Sequence, residues 1–234
     1  MNNQQFAIVT GASEGIGKAI SLSLIRNDFR VLLISRNQKK LNQVLTASGN
    51  LAKNAWTIPA DLTDPKQVSQ TIHEAIKREK HIDVLINNLG RGVRRELIET
   101  TDQEWDFLVK INLSSAFYMC RDTLRYMRQQ KFGQIINIAS RAGRKGEGNL
   151  AAYSALKHGL VGLTKALADS ESKHGIRVNA VCPGLVSTQR MLNTHPDLDY
   201  SSANKPEDVA EAVMFLLSPA AKTMNGQIID MYRN

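Results

Sequence analysis

The sequence predicts an α/β fold: a doubly wound parallel sheet of about seven strands with helices on both faces. Three observations carry that expectation. Short aliphatic strands alternate with amphipathic helices along the 234 residues, the pattern that builds parallel sheets through helical crossovers. A glycine-rich turn follows the first strand at once and opens a helix. Later strands run into small or polar residues at their C-terminal ends, where open parallel sheets hold ligands.

Composition sets the outer limits. A chain of this length is expected to form one domain, spanning 1–234, with a sizeable core. Hydrophobic residues reach 42 % and aromatics only 6 %, which suits aliphatic sheet strands. Cys120 and Cys182 lie in apolar segments and read as buried thiols of a reducing compartment. Neither has His or Cys company, so no metal site is expected. The first residues, Met1 to Gln5, carry no leader pattern, and no run is long enough to span a bilayer. A cytoplasmic location without membrane contact is therefore expected. The net charge is +8, but the basic residues are scattered and no aromatic-basic platform appears, so nucleic acid is not an expected partner.

Taken in order, Phe6–Thr10 reads as a buried strand. Gly11, Gly15 and Gly17 follow it, and a helix is expected from Ile16 to Arg26. Glycines admit a pyrophosphate at close range, while the helix N-terminus offers N–H groups and positive dipole. A tight strand-to-helix turn is the plainer alternative. Arg30–Ser35 is the second strand. An acid that would grip ribose hydroxyls is missing at its end, where Ser35 and Arg36 stand instead. A guanidinium pairs well with a 2′-phosphate, which favours NADP(H) over NAD(H); an ordinary loop arginine is the alternative.

A helix over Gln38–Ala47 and a third strand over Ala55–Ala60 come next. Asp61 and Leu62 follow, and Thr63, Asp64 and Pro65 open another helix through capping chemistry. Asp61 suits an adenine amino group or, equally, a local cap. The fourth strand, Val84–Ile86, runs into Asn87, Asn88, Leu89 and Gly90. One continuous helix is expected from Thr101 to Met127, with Asn112 in its middle, where Asn is a mediocre helix former that wants a reason. Gly133–Ala139 is the fifth strand and ends at Ser140.

The helix that follows brings Tyr153 and Lys157 onto one face, four residues apart. A neighbouring ammonium favours the phenolate, so Lys157 is expected to lower the Tyr153 pKa toward the range useful for proton exchange with a carbonyl or hydroxyl. Arg177–Cys182 is the sixth strand and ends in Pro183 and Gly184. A polar segment over about 185–205 precedes a helix that begins at Pro206, and Gln227–Asp230 suits a last strand.

These motifs together resemble the short-chain dehydrogenase/reductases, over about Phe6 to Asp230. Thr10 to Gly17 is similar to the family's T-G-x-x-x-G-x-G loop, and Asn87 to Gly90 to its N-N-A-G, with Leu89 in the Ala position. Asn112, Ser140, Tyr153 and Lys157 resemble its catalytic tetrad in order and spacing. The resemblance implies a Rossmann-type sheet and a nicotinamide cofactor. It also implies cofactor contacts at Gly11, Ser13, Glu14, Gly15, Ile16 and Gly17, at Ser35, Arg36, Asp61 and Leu62, and at Asn88 and Gly90. Tyr153 and Lys157 would serve the cofactor as well as the chemistry, with Pro183, Gly184, Val186 and Thr188 beside the nicotinamide.

In the roles so implied, Tyr153 is the general acid, Lys157 tunes it and holds the ribose, Ser140 binds the substrate oxygen, and Asn112 holds a water. Ketone reduction is the expected reaction, on a small carbonyl or alcohol substrate, and the general look is closest to 3-oxoacyl-carrier-protein reductases. Alcohol oxidation and a non-catalytic, cofactor-binding sensor are the competing readings. The resemblance further implies a homo-oligomer, tetramer or dimer, formed by the two long helices.

Some features depart from the family. Glu14 stands where NADP-preferring members carry Lys or Arg. The 185–205 segment is short where a substrate-covering helix is usual, so an open pocket is expected. Arg91, Arg94, Arg95, Arg141, Arg144 and Lys145 fall on the expected rim. Solvated surface charge is the plainer account of them, and an anionic substrate is the alternative.

Overall fold

In the computed structural model, which describes residues 4–232, seven parallel strands form one sheet in the order β3-β2-β1-β4-β5-β6-β7. The strands are β1 (Phe6–Thr10), β2 (Arg30–Ser35), β3 (Ala55–Pro59), β4 (Val84–Asn87), β5 (Gly133–Ile138), β6 (Ile176–Pro183) and β7 (Ile228–Met231). Between them run α1 (Gly15–Arg26), α2 (Gln38–Ala47), α3 (Pro65–Glu79), α4 (Asp102–Val109), α5 (Ser115–Gln130), α6 (Ala151–Glu171), α7 (Gln189–Thr194) and α8 (Pro206–Leu217). The sheet order reverses between β1 and β4. At that switch point the crossovers diverge to opposite faces and leave a crevice beyond the strand C-termini.

Side chains of a strand point alternately to its two faces, and both faces of this sheet are covered. Ala7 and Val9 of β1 pack with Ile20 and Leu24 of α1 and with Val209 and Val213 of α8. Phe6 and Ile8 pack the other way, with Val68 and Ile72 of α3 and Met119 and Met127 of α5. Local chemistry sets the helix starts. The Asn37 side chain accepts from the Lys40 N–H, Asp64 accepts from Lys66 with Pro65 in the first turn, and Thr101 forms a capping box with Glu104.

One expectation is corrected. The helix expected to run unbroken from Thr101 to Met127 is interrupted by a π-helical turn over Lys110–Ser114. Asn112 lies in that turn, fully buried, and its amide takes the Leu108 carbonyl that a regular helix would use differently. The 185–205 segment, expected to lack a substrate helix of the usual length, carries the six-residue α7, whose residues line the crevice. A bridge between Val186 and Asn204 closes its base, with Ser187 N–H donating to the Asn204 carbonyl at 2.9 Å.

Candidate active site

One crevice of about 1240 Å³ runs from the first glycine loop, across the ends of β1, β4 and β5, to α7. Glycine shapes its first wall. Gly11 and Gly15 have φ of +63° and +52°, which L side chains rarely adopt. A Cβ on Gly17 would lie 2.1 Å from the Gly11 carbonyl oxygen, so only glycine lets α1 approach the loop. Glu14 precedes α1 without capping it through its side chain. The amides of the first helical turn are thus left for a ligand, a setting that suits a pyrophosphate.

Thr10 holds the floor. Its hydroxyl accepts the Asn88 and Leu89 N–H groups at 3.0 and 3.1 Å and donates to the Ile86 carbonyl. The Asn88 amide donates to the carbonyls of Thr10 and Gly11, so Asn88 binds β4 to the glycine loop as well as lining the crevice. Leu89, in the family's Ala position, is accommodated: its N–H is fixed by Thr10 and its side chain packs against the core. Asp61 lines the crevice with one carboxylate oxygen accepting from the N–H and hydroxyl of Thr63, the local cap that the sequence left open.

The catalytic candidates converge at the ends of β4 and β5. Ser140 caps the short turn Arg141–Gly143, its oxygen accepting the Ala142 N–H at 3.1 Å, and it is close enough to Tyr153 to act on the phenol. Lys157, 2 % exposed, donates to the Ile138 carbonyl at 2.9 Å. Its Nζ lies 5.6 Å from the centre of the Tyr153 ring. Both residues line the crevice. Gly90 faces them closely: a Cβ there would meet Asn112 Oδ1 at 2.8 Å and Lys157 Nζ at 3.2 Å.

The electrostatics reverse one expectation. The Tyr153 phenol is pushed up to about 12, because burial disfavours the phenolate more than the Ser140 hydrogen bond and the Arg190 charge favour it. Burial equally brings the Lys157 ammonium down to about 8. Desolvation sets the direction for Tyr153, and the expected lowering by Lys157 is not among the effects acting on it. The Asn112 side chain is held by protein partners: its Oδ1 accepts the Arg91 N–H at 2.9 Å, and its Nδ2 donates to the carbonyls of Arg91 and Leu108. It thereby anchors the segment after β4.

Of the residues expected at the site, Ser13, Glu14, Gly15, Ile16, Ser35, Arg36, Leu62, Gly184, Val186 and Thr188 also line the crevice. Gly17, Asn112 and Pro183 stand behind its wall. Thr188 caps α7, accepting the Met191 N–H, and a Cβ on Gly15 would meet its methyl group at 3.0 Å; the glycine loop and α7 thus face each other. Sequence reading missed a buried chain of amides beneath the site. Asn87 donates to Asn137 at 2.9 Å, Asn137 to Thr164 at 2.9 Å, and Thr164 to the Leu160 carbonyl at 2.8 Å. A polar Asn137 amid Ile135, Ile136 and Ile138 was the available signal. Lys40 was also missed. It lines the crevice and pairs with Glu14 at 2.5 Å.

Among known proteins, the short chain dehydrogenase family model matches residues 5–199. The chain belongs to that family. It is 33 % identical over 231 residues to the 3-oxoacyl-[acyl-carrier-protein] reductase FabG of Buchnera aphidicola subsp. Schizaphis graminum, covering 95 % of this chain and 93 % of that one. It is 34 % identical to the uncharacterized oxidoreductase YxjF of Bacillus subtilis, covering 98 % and 89 %. A solved structure of an actinorhodin polyketide ketoreductase with NADPH aligns at a TM-score of 0.92 and 30 % identity, over 99 % and 97 % of the two chains. ElxO with NADP bound aligns at 0.92 and 26 % identity, over 98 % and 97 %. The protein is therefore a short-chain oxidoreductase that resembles FabG, with a nucleotide-binding sheet. Among the described residues, no helix is long and apolar enough to cross a membrane, and no cluster of three or more His, Cys, Asp or Glu side chains could hold a metal.

Proposed function

We propose that this oxidoreductase reduces a ketone to a secondary alcohol with NADPH, Tyr153 giving the proton. One observation carries the reading: Tyr153 and Ser140 line the same crevice, where burial favours the protonated phenol. A protonated phenol serves reduction, where the developing alkoxide must be neutralised, and is the wrong state for oxidation. The nicotinamide, when bound, supplies the hydride. Ser140 and Tyr153 both reach the crevice, so each can donate toward one substrate oxygen, orienting it and stabilising the charge that develops there. Lys157 presents a second donor behind them. It serves the ribose hydroxyls and favours the phenolate as the proton leaves Tyr153.

The preference for NADP(H) is supported at the far end of the crevice. Arg36 is exposed there, with no acidic partner among the described residues. Glu14, an unfavourable charge beside a 2′-phosphate, is compensated by Lys40 at 2.5 Å. The structural relatives carrying NADP or NADPH point the same way.

The test is oxidation of NADPH and NADH by the purified protein, offered an acetoacetyl thioester and a panel of other ketones. NADPH-dependent turnover of a ketone is expected. Tyr153→Phe removes the proton donor and should lower turnover by roughly 10² to 10⁴-fold while cofactor affinity is retained. Unchanged turnover in that variant would refute the assignment, and cofactor binding without turnover of any ketone would favour a non-catalytic role.

A further inference from the structure

The basic rim resolves into two kinds of residue. Arg95 is held by Glu104 at 3.1 Å, Arg141 by Glu147 at 3.0 Å, and Arg144 by Asp230 at 3.1 Å. Their charges are compensated and serve the fold. Arg94 bonds only a neutral group, the Asn149 amide oxygen, at 3.3 Å. Arg91 has no acidic partner among the described residues, although its main chain is clamped at both N–H and C=O by Asn112. Arg190, which the sequence did not single out, stands on α7 with no acidic partner among the described residues either.

Arg91, Arg94 and Arg190 all line the crevice. A Cβ on Gly92 would lie 3.7 Å from the Tyr153 ring, so the Arg91–Arg94 segment runs alongside the tyrosine. Arg94 and the Arg95 N–H tie that segment to Asn149, just before α6. Arg190 lines the same space from α7, and its charge acts on the Tyr153 phenol. The acid in this part of the crevice, Glu147, is already paired with Arg141. The pyrophosphate-type site is the glycine loop and the start of α1, so it does not account for these cations. Unpaired guanidiniums on the wall attract an anionic substrate over a neutral one. A planar carboxylate meets a guanidinium fork with two parallel hydrogen bonds. Phe107, Ile111 and Leu150, also on the wall, leave room for a short carbon chain between carboxylate and carbonyl.

We propose that the substrate is a small oxo acid whose carboxylate is held between Arg190 of α7 and Arg91 after β4, with Arg94 in support. The proposal rests on the crevice being a carbonyl-reducing site, and its test separates the two. Acetoacetate and its methyl ester are titrated calorimetrically into the protein, alone and with oxidised cofactor, so that no hydride can be delivered. The acid is expected to bind at least about tenfold more tightly than the ester, with the gap narrowing as salt rises. In an Arg91→Gln, Arg190→Gln double variant the gap should fall below about threefold. Arg190→Lys, which keeps charge without the fork, should fall between. Both arginines are exposed, so the folded state tolerates the changes, and thermal melting of each variant verifies it.

Equal binding of acid and ester, a gap that survives in the double variant, or binding of neither overturns the proposal. Turnover of the two ketones with reduced cofactor is read separately. Reduction of the ester without any acid preference removes the oxo acid and leaves the reductase. Acid-selective binding without turnover of either ketone leaves the carboxylate site and removes the reductase.

Discussion

Lys157 carries a cost that its surroundings make measurable. At 2 % exposure its ammonium donates to the Ile138 carbonyl, and burial lowers it from 10.5 to about 8. A shift of that size corresponds to about 3 kcal/mol against the charged form. The unfolded chain keeps this proton up to 10.5, whereas the folded chain releases it near 8. Between those values the unfolded state binds more protons, so the Lys157 contribution to stability rises with pH across the window. Urea denaturation without cofactor at pH 7 and pH 10 should show the parent gaining about 2–3 kcal/mol relative to Lys157→Met; an unchanged difference would contradict the burial argument. Arg36 and Lys40 belong to the same scale. Arg36→Ala should weaken NADPH about tenfold or more and leave NADH nearly unaffected, and Lys40→Ala should act in the same sense by exposing Glu14. Fluorescence titration of both cofactors measures this, and equal losses for the two would refute a 2′-phosphate role.

Two elements position the chemistry. The π-turn at Lys110–Ser114 turns Asn112 toward the segment after β4, where it grips Arg91. The other is the amide chain from Asn87 through Asn137 to Thr164, which joins the ends of β4 and β5 to α6, the helix of Tyr153 and Lys157. Asn137 is fully buried, so Asn137→Ala removes one hydrogen bond from Asn87 on β4 and one from Thr164 on α6, leaving them to Cys120 and the Leu160 carbonyl. The expected loss is about 1–3 kcal/mol in stability. A denaturant midpoint equal to the parent's would show that the chain is dispensable.

At the scale of the molecule, the outer face of α5 and α6 carries a groove with an apolar floor and a charged rim. Phe117, 47 % exposed, lies beside Leu124, Leu163 and Leu167, with Arg121, Arg125, Arg128 and Glu171 around them. We propose that this face pairs with a second copy of the chain, in line with the homo-oligomer that the family resemblance implies. Phe117→Glu should shift the sedimentation coefficient toward the monomer with the fold retained. An unchanged coefficient, or a parent that is itself monomeric at micromolar concentration, would exclude this face.

The sequence alone determined the alternation of strands and helices, the glycine loop after β1, and the order of Ser140, Tyr153 and Lys157. Each is written in local signals: aliphatic runs, positive-φ glycines, and an i to i+4 spacing on one helix. It marked Asn112 as a residue needing a reason, and the structure supplies the partners. The satisfaction of that amide depends on Arg91, 21 positions away, and no local pattern reports such a partner. The same holds for Asn137 with Thr164 and for Glu14 with Lys40. The sign of the Tyr153 shift likewise escaped the spacing rule, because burial is a property of everything packed around a group. Which rim arginines are compensated was decided last, by where Glu104, Glu147 and Asp230 come to rest. Only tertiary structure brings those opposite charges within reach of one another, and among the described residues it leaves Arg91, Arg94 and Arg190 on the crevice wall without an acidic partner.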